Sequence, residues 1–364
     1  MSKKILVAMS GGVDSSVAAY LLKEAGWMVG GATIRTWASG ECADRNTKTC
    51  CGVVGVEDAR AVAEKLGVPY YVFNFEKEFK EHVVDYFQKE YIEGKTPNPC
   101  VACNEHIKFR LFYKRAKALG YDAIATGHYA QVSLNKEKNR YLITQGLDSG
   151  KDQSYVLFPL DQDILSKLQL PVGKFHKTEI RELARKIGLN VADKPDSQEI
   201  CFIPSHDYGA FLEREMKLKE TIGQITDKDG KVLGTHKGYY HYTVGQRSGL
   251  NIAYKHALYV IQIIPEKNLV VVGSKEEVLG RQCKVERMNW FVPIDTGSRL
   301  RVQAKIRSRH QKSEASVDVL DNAEAYVVFD ESQDAITPGQ GCVFYDGENV
   351  IGGGWISKNG THTS

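Results

Sequence analysis

Two cysteines, Cys100 and Cys103, lie three positions apart in the segment TPNPCVACN, directly after two prolines. A thiolate is a nucleophile and a metal ligand, so a C-x-x-C pair predicts covalent or metal chemistry. A proline disfavours helical backbone at the preceding residue, so we expect residues 96–99 to be extended and both thiols to lie on a stiff loop. A third candidate thiol, Cys201, also follows a proline, in the polar segment DKPDSQEICFIP.

A glycine-containing loop near the N-terminus is a candidate phosphate site. ILVAMSGGVDSSVAAYLL places Ser10, Gly11 and Gly12 between a strand-like and a helix-like run. Glycines let backbone N–H groups approach an anion closely, and a helix N-terminus adds donors and a favourable dipole. The spacing matches neither G-x-x-x-x-G-K-[ST] nor G-x-G-x-x-G. Two roles stay open for Asp14, assisting a metal ion or capping the helix.

SGGVDSS resembles the PP-loop of ATP pyrophosphatases. That resemblance implies cleavage of ATP to AMP and pyrophosphate, with adenylation of a substrate oxygen. An adenylated oxygen is a leaving group, and a nearby thiolate or sulfide is a nucleophile suited to displace it. The loop and the thiols therefore predict one combined chemistry.

The elements that must position these groups alternate between apolar runs and helix-period segments. We predict strands at KILVAM, WMVGGATI, YYVFNF and AIATGH, and helices at SSVAAYLLKEAG, VEDARAVAEKLG, residues 76 to about 94 and about 107 to 119. This alternation predicts an α/β fold with a doubly wound parallel sheet. Ligands of such sheets bind at the carboxyl ends of the strands, where the phosphate loop and the C-x-x-C segment could face one cleft.

The second half of the chain has short β-type runs separated by Gly, Asp, Asn and Pro, which predict small β-rich domains. A chain of 364 residues exceeds one typical core. We place the domains at residues 1–205, 206–280 and 281–364, the first containing the phosphate loop.

Composition favours a cytoplasmic protein. The N-terminus has no signal-peptide pattern, and no run reaches the ~18 apolar residues of a membrane span. In a reducing compartment the eight cysteines favour metal-binding, catalytic or buried roles over disulfides. Cys42, Cys50 and Cys51 fall on a polar, loop-like segment, whereas Cys283 and Cys342 lie in β-type runs and are expected in the core.

Charge is locally segregated although the net charge is only +3. Residues 299–312 read RLRVQAKIRSRHQK, with six Lys or Arg and no acid, and acids dominate residues 314–334. We call residues 299–312 the basic strip. A phosphate-facing surface and the solvated face of a β-hairpin are both open interpretations of it.

Six segments in order resemble the signature blocks of the tRNA-specific 2-thiouridylases: SGGVDSS, TPNPCVACNEHIKF, ATGHYA, KDQSYVLFPL, PDSQEICFIP and HYTVGQRSGL. KIRSRH and the PGQ at 338–340 extend the resemblance nearly to the C-terminus. It implies ATP-dependent transfer of sulfur to C2 of the wobble uridine in tRNAs for lysine, glutamate and glutamine, with Mg²⁺. It also implies a Rossmann-like PP-loop domain, a small central tRNA-contacting domain and a C-terminal β-barrel.

The resemblance implies roles for individual residues. The ATP-binding residues would be Ala8, Met9, Ser10, Gly11, Gly12, Val13, Asp14, Ser15, Ile34 and Gly127. The tRNA-binding residues would be Asn98, Pro99 and Cys100 at the target base, with His128, Lys151, Asp152, Gln153, Arg307, Ser308 and Gln340 elsewhere. Cys103 would be the nucleophile and Cys201 the persulfide carrier. For His128 a structural hydrogen bond is an open alternative.

Cys100 departs from the family pattern, in which many members carry aspartate there. In one version of the chemistry, a cysteine desulfurase or sulfur-relay protein loads a persulfide on Cys201, and Cys103 helps to release the sulfur. In the other, which we favour from the sequence, Cys100, Cys103 and Cys201 ligate a [4Fe–4S] cluster whose remaining iron holds inorganic sulfide. The same thiols would suit zinc if a fourth ligand joined them.

Two other functions compete with sulfur transfer. PP-loop enzymes that amidate or ligate use a nitrogen nucleophile and need no thiols. A non-catalytic RNA-binding protein could carry structural zinc on C-x-x-C. As partners we expect the anticodon stem-loop of tRNA and a sulfur donor, with no membrane, and we expect a monomer.

Overall fold

The structure is a computed structural model that describes residues 3–37, 53–195, 200–203 and 207–359. Cys42, Cys50 and Cys51 lie outside the described residues. The strands of the first part are β1 (Lys4–Ala8), β2 (Met28–Arg35), β3 (Tyr70–Asn74), β4 (Ala123–Ala125), β5 (Ala130–Asn135), β6 (Arg140–Gln145) and β7 (Leu168–Gln169). Its helices are α1 (Val13–Glu24), α2 (Val53–Leu66), α3 (Glu76–Phe79), α4 (Asp85–Ile92), α5 (Pro99–Ala102), α6 (Phe112–Ala118), α7 (Gln162–Leu165) and α8 (Lys177–Lys186), with π-helical turns at Lys80–Val84 and Cys103–Leu111.

Five strands form a parallel sheet in the order β3–β2–β1–β4–β7. Central β1 reads as a continuous apolar run because both faces of such a sheet are covered, and its Ile5, Leu6 and Val7 are fully buried. The strand order reverses direction between β1 and β4. The carboxyl end of β1 is therefore the point at which sheets of this kind bind ligands. The predicted α/β fold is confirmed.

The first compact unit comprises Met1–Val84, Pro99–His206 and Glu348–Ile351. One core of this unit joins β1, α1, α2 and α8 through buried residues that include Val7, Val17, Val62 and Ile180. The β5–β6 hairpin, whose second strand pairs with Asn349 and Val350, was not expected from the sequence.

The second compact unit comprises Asp85–Asn98, Asp207–Gly347 and Gly352–Ser364. Its remaining elements are α9 (Tyr208–Met216), α10 (Lys275–Val278), β8 (Gly223–Thr226), β9 (Val232–His236), β10 (Tyr259–Ile264), β11 (Leu269–Gly273), β12 (Leu279–Trp290), β13 (Arg299–Lys305), β14 (Ser313–Val319), β15 (Glu324–Asp334), β16 (Gly341–Asp346) and β17 (Asn349–Ile356). These strands confirm the predicted change to β-rich structure.

The strands of the second unit form two sheets. β10–β11–β8–β9 make a four-stranded sheet, and β12–β15–β14–β13–β16–β17 closes into a barrel because β17 also pairs with β12. Closure removes the unpaired sheet edges that invite association. The domain limits at residues 205 and 280 stay a prediction.

Two buried cysteines belong to the barrel core, as predicted. Cys283 on β12 and Cys342 on β16 are both fully buried. The hydrogen bond with Cys283, together with burial, holds the pKa of the Cys342 thiol well above its usual value. This thiol is therefore protonated and serves packing.

The backbone around the first two candidate thiols differs from the prediction. Residues 96–98 have no regular structure, but a helix begins at Pro99 rather than near residue 107. Proline suits the first helical position, where its missing N–H would have no intrahelical partner and its fixed φ is already helical. Cys100 and Cys103 therefore lie in the first turns of a helix, and the expected stiff loop is wrong.

None of the helices in the described part of the chain is long and apolar enough to cross a membrane. The cytoplasmic location stays a prediction.

Candidate active site

The glycine loop turns sharply from β1 into α1. Gly11 has φ of +72°, in the left-handed region, and a Cβ there would lie 2.3 Å from the carbonyl oxygen of Gly55. Only glycine fits this position without a shift of the backbone. The N-cap of α1 is Gly12, which has no side chain to satisfy the first amides of the helix. These amides and the helix dipole are suited to an anion, and binding of a phosphate there stays a prediction.

Serine hydroxyls close the loop on itself. The Ser10 N–H donates to Ser15 Oγ at 3.2 Å. The hydroxyls of Ser15 and Ser16 donate to the carbonyl of Gly12 at 3.2 and 2.9 Å. The loop is thus held in shape by its own side chains.

Other residues predicted to bind ATP lie near this loop. A Cβ at Gly127, just after β4, would be 2.6 Å from Ser15 N, so the two backbones are in direct contact. Ile34 is near the carboxyl end of β2, the neighbour of β1 in the sheet. The fold brings these residues to one edge of the sheet, and their contact with ATP stays a prediction.

Asp14 forms a partly buried ion pair on the loop. Its carboxylate oxygens are each 2.7 Å from Lys177 Nζ, and Oδ1 also accepts a 2.7 Å hydrogen bond from the Tyr129 hydroxyl. The capping role for Asp14 is wrong, because the N-cap is Gly12 and has no side-chain cap. Sequence reasoning missed both partners. Tyr129 follows the quoted ATGH, whereas nothing local distinguishes Lys177 from other helix-surface lysines.

A second lysine reaches the loop from the segment that leads to Cys201. Lys194 Nζ donates to the carbonyl of Gly11 at 3.0 Å and to Asp58 Oδ2 at 2.7 Å. Its side chain is 33% exposed, so it lies at the rim of the loop.

His128, a predicted tRNA contact, is buried. Its Nδ1 is 2.7 Å from Thr126 Oγ1, and its ring packs 5.6 Å from that of Phe109. Burial, and then the nearby charge of Lys108, lowers the pKa of His128 to about 3. The imidazole is therefore neutral at physiological pH. The structural hydrogen bond left open by the sequence is present, and a tRNA contact stays a prediction.

The segment around Asp152 is held by internal hydrogen bonds. Both carboxylate oxygens of Asp152 accept from within the segment, including the N–H and hydroxyl of Ser154 at 3.1 and 2.9 Å. Gln153 Oε1 accepts from Tyr129 N–H at 3.0 Å. Lys151 is half-buried. Asp152 therefore shapes the turn and Gln153 holds the backbone of Tyr129, the partner of Asp14, while contact of Lys151, Asp152 and Gln153 with tRNA stays a prediction.

The three candidate thiols lie in different environments. Cys100 is exposed, Cys103 is buried with 8% exposure, and Cys201 is half-buried. All three are among the described residues, and within these no three His, Cys, Asp or Glu lie close enough to hold a metal ion. Among the described residues the structure thus does not assemble the predicted set of Cys100, Cys103 and Cys201 as ligands. This arrangement fits neither a cluster nor zinc.

Asn104 carries an amide that the sequence did not indicate as special. It is 1% exposed, and its Nδ2 donates to the carbonyl of Val156 at 3.2 Å. Its Oδ1 is buried and has no hydrogen-bond partner among the residues that the structure describes. A buried polar atom of this kind costs free energy, which makes Asn104 a candidate functional residue.

The remaining predicted tRNA residues Asn98, Arg307, Ser308 and Gln340 all belong to the second unit. Asn98 and Gln340 are half-buried, and Gln340 Nε2 donates to the carbonyl of Thr96 at 2.8 Å. Arg307 Nη2 donates to the Thr337 hydroxyl at 2.6 Å and to two backbone carbonyls. Ser308 is exposed. Gln340 and Arg307 hold backbone segments together, and their contact with tRNA stays a prediction.

The basic strip is neutralised along β13. Arg299 pairs with Asp318 at 3.5 Å, and Arg301 pairs with Asp330 and, at 3.8 Å, with Glu314. The acids come from β14 and β15, which pair in order beside β13. The acid-rich stretch that looked separate in sequence thus lies next to the strip. The structure favours the solvated hairpin face over a phosphate-facing surface at β13.

Comparison with known proteins covers nearly the whole chain. Three family models match, described as a tRNA methyl transferase HUP domain (3–205), a tRNA methyl transferase PRC-barrel domain (209–274) and an aminomethyltransferase beta-barrel domain (280–356). The tRNA-specific 2-thiouridylase MnmA of Caldicellulosiruptor saccharolyticus is 49% identical over 361 residues, covering 98% of this chain and 99% of the relative. That of Clostridioides difficile is 46% identical over 360 residues, covering 99% of both.

A solved structure is also similar, at a much lower level. It is the U34-tRNA thiolase NcsA from Methanococcus maripaludis with its [4Fe-4S] cluster, with TM-score 0.35 and 20% identity over 59% of this chain and 67% of that chain. Similarity of this size carries no argument about the thiols. The full-length relatives, rather than the methyl transferase wording of the domain descriptions, identify the chemistry.

Proposed function

Because the chain belongs to the tRNA-specific 2-thiouridylases and is a tRNA sulfurtransferase, we propose that it converts the wobble uridine, at position 34, of tRNAs for lysine, glutamate and glutamine to 2-thiouridine. The observation that carries this proposal within the molecule is the glycine loop at the carboxyl end of β1, the switch point of the sheet. A loop of this geometry binds phosphates through backbone amides.

The first step is activation of the base. Uridine O2 attacks the α-phosphorus of ATP, the bond to the β-phosphate oxygen breaks, and pyrophosphate leaves. The loop at residues 10–16 holds the phosphates through those backbone amides that make no hydrogen bond within the loop, and Gly127 allows close approach of backbone beside Ser15. Mg²⁺ belongs with the ATP phosphates, since it keeps several waters and needs only one or two protein carboxylates in nucleotide sites. No step depends on a metal position.

The second step is sulfur transfer through a cysteine persulfide. A cysteine desulfurase or relay protein supplies a sulfane sulfur to Cys201. The terminal sulfur attacks C2 and AMP leaves with the former O2. The thiolate of Cys103 then attacks Cys201 Sγ, the S–S bond to the transferred sulfur breaks, and 2-thiouridine is released with a Cys103–Cys201 disulfide that a cellular thiol reduces. In support, both cysteines belong to the same compact unit as the glycine loop.

Whether the protein contains a [4Fe–4S] cluster decides the role of Cys100. Protein purified without oxygen should be colourless and contain no stoichiometric iron or sulfide, and it should thiolate tRNA with a persulfide donor. Thiolated tRNA is recognised by its retarded migration in a mercury-containing gel. Iron and sulfide in cluster proportion, with activity lost on their removal, would contradict the persulfide route.

The competing functions are separated by two further observations. A non-catalytic RNA-binding protein would release no pyrophosphate, so we expect release from ATP that depends on added tRNA. A PP-loop enzyme using a nitrogen nucleophile would keep full product formation after Cys103→Ala, whereas we expect that variant to form no 2-thiouridine. We also propose that a cysteine desulfurase or a relay protein is the sulfur donor and that the protein is a monomer.

A further inference from the structure

Lys177 is a buried lysine whose ammonium group lies on the glycine loop. Its side chain is 10% exposed, against 29% for that of Asp14, its partner at 2.7 Å. Removing an ammonium from water is costly unless a charge partner compensates it. The fold nevertheless brings this lysine to a loop 163 positions away in sequence. A cation at this place therefore calls for a reason beyond packing.

The backbone of Lys177 is fixed before its side chain is placed. It is the first residue of α8, and its N–H donates to Asp148 Oδ2 at 3.0 Å. The preceding His176 N–H donates to Glu179 Oε2 at 2.7 Å, which closes the start of the helix. Helical side chains lean toward the N-terminus, and buried Ile180 holds α8 in the same core as α1. Regular secondary structure thus aims the ammonium at the loop.

The loop contains a negative charge, the carboxylate of Asp14, that repels the phosphate the loop is suited to bind. Asp14 places a carboxylate on the first turn of α1, where the backbone amides are suited to phosphate. Two like charges a few ångströms apart repel each other, more strongly at a partly buried site than in water. Lys177 cancels this charge. Lysine also has a flexible four-carbon stem and a compact ammonium, so it can change partners without a change of fold.

We propose that Lys177 is the pyrophosphate-binding cation of this site. Without nucleotide it neutralises Asp14, and with ATP bound it contacts the β- and γ-phosphates and then the pyrophosphate that leaves. Tyr129, whose hydroxyl is 2.7 Å from Asp14 Oδ1, keeps a donor on the carboxylate when the ammonium moves. The inference rests on the proposed function, because negative charge grows on the leaving pyrophosphate only if ATP is cleaved between its α- and β-phosphates.

A purely structural role makes a different prediction. If the pair with Asp14 only fastened α8 to the loop, removing Lys177 would disturb the whole nucleotide site. ATP, pyrophosphate and AMP would then weaken together. A pyrophosphate-binding lysine affects only the ligands that carry the β- and γ-phosphates.

The test is calorimetric titration of ATP, pyrophosphate and AMP into the full chain. For Lys177→Met we expect ATP and pyrophosphate to bind roughly 10- to 100-fold more weakly, the range of a lost charged hydrogen bond, and AMP to bind as in the wild type. Lys177→Arg should restore part of the loss. The matched control is Lys23→Met, which removes a lysine at the other end of α1, where Nζ caps the carbonyl of Leu66. It should change none of the three affinities.

The outcomes separate this inference from the proposed function. Equal weakening of all three ligands in Lys177→Met, or no weakening of ATP, overturns the role of Lys177. If Lys177→Met does not fold, Asp14→Asn combined with Lys177→Met removes both charges and takes its place in the same titrations. Wild-type protein that binds no ATP, or releases no pyrophosphate with tRNA, contradicts the proposed function instead.

Discussion

Two ion pairs in the two compact units differ in almost every physical respect. Asp14 at the glycine loop pairs with Lys177 of α8, and their side chains are 29% and 10% exposed. Arg301 and Asp330 lie on the outside of the barrel, 54% and 47% exposed. A pair of the first kind has little water to screen it, whereas a pair of the second kind is worth at most about 1 kcal/mol. The comparison teaches that the concentration of charge in the sequence does not predict where in the fold a charge is buried.

The thiols give the largest expected contrast between the units. Cys201→Ala should lower the rate of 2-thiouridine formation on the order of 10³-fold or more, because the residue that carries the sulfur is gone. Cys342→Ala, in the barrel core, should keep the rate and lower the free energy of unfolding by about 1 to 3 kcal/mol. Gel shift and urea unfolding measure the two effects. Full thiolation by Cys201→Ala would show that Cys201 does not carry the transferred sulfur.

The glycine loop gives the next effect. Gly11→Ala should lower pyrophosphate release by roughly 100-fold, since a Cβ 2.3 Å from the carbonyl of Gly55 must displace the loop. The matched control is Gly26→Ala. Gly26 also has positive φ, at +83°, but a Cβ there meets nothing within 4 Å. Equal losses in the two variants would show that backbone strain, and not the crowded loop, decides activity.

Burial around the site can be tested through His128. Its pKa of about 3 in the folded protein lies below the ordinary value near 6.5, so unfolding takes up a proton between these limits. Stability from this group is complete above about pH 6.5 and is lost as pH falls toward 3, approaching about 1.4 kcal/mol per pH unit.

The measurement is urea unfolding at about pH 7 and about pH 5. Between them the wild type should lose about 2 kcal/mol more than His128→Gln, which cannot take up this proton. An equal loss in both proteins would mean that the His128 imidazole is accessible to water in the folded protein. The site would then be less buried than the structure shows.

The smallest effect is expected on the basic strip. Arg301→Ala should change the free energy of unfolding by less than about 1 kcal/mol and leave the salt dependence of tRNA binding unaltered, because the guanidinium is already paired with Asp330. Binding measured over a range of salt concentrations checks this. A slope of log affinity against log salt that falls by about 1 would show a phosphate contact and restore the strip as an RNA surface.

Local patterns in the sequence predicted what local geometry decides. SGGVDSS led to the strand, tight turn and helix that the structure has, because glycine conformation and helix starts depend on neighbouring residues. The same was true of the parallel sheet and the β-rich second half. The sequence predicts an extended segment over residues 96–99, but Pro99 begins a helix, since proline is compatible with both structures.

Contacts between residues that are far apart in the sequence could not be predicted from local patterns. Tyr129 and Lys177 meet Asp14 across 115 and 163 positions, and only the packing of β4 and α8 beside α1 brings them there. The neutralisation of Arg299 by Asp318 likewise depends on the register of β13 with β14. Counts of charge along a segment do not contain this register.

The most direct test of the account follows the oxygen that sulfur replaces. tRNA that carries a heavy oxygen isotope at O2 of the wobble uridine would be incubated with ATP, a persulfide donor and the wild-type protein, and the AMP analysed by mass spectrometry. Adenylation of O2 predicts that the isotope appears in the phosphate of AMP, in step with 2-thiouridine. Thiolated tRNA formed while the isotope appears only in water would contradict activation by ATP at the glycine loop.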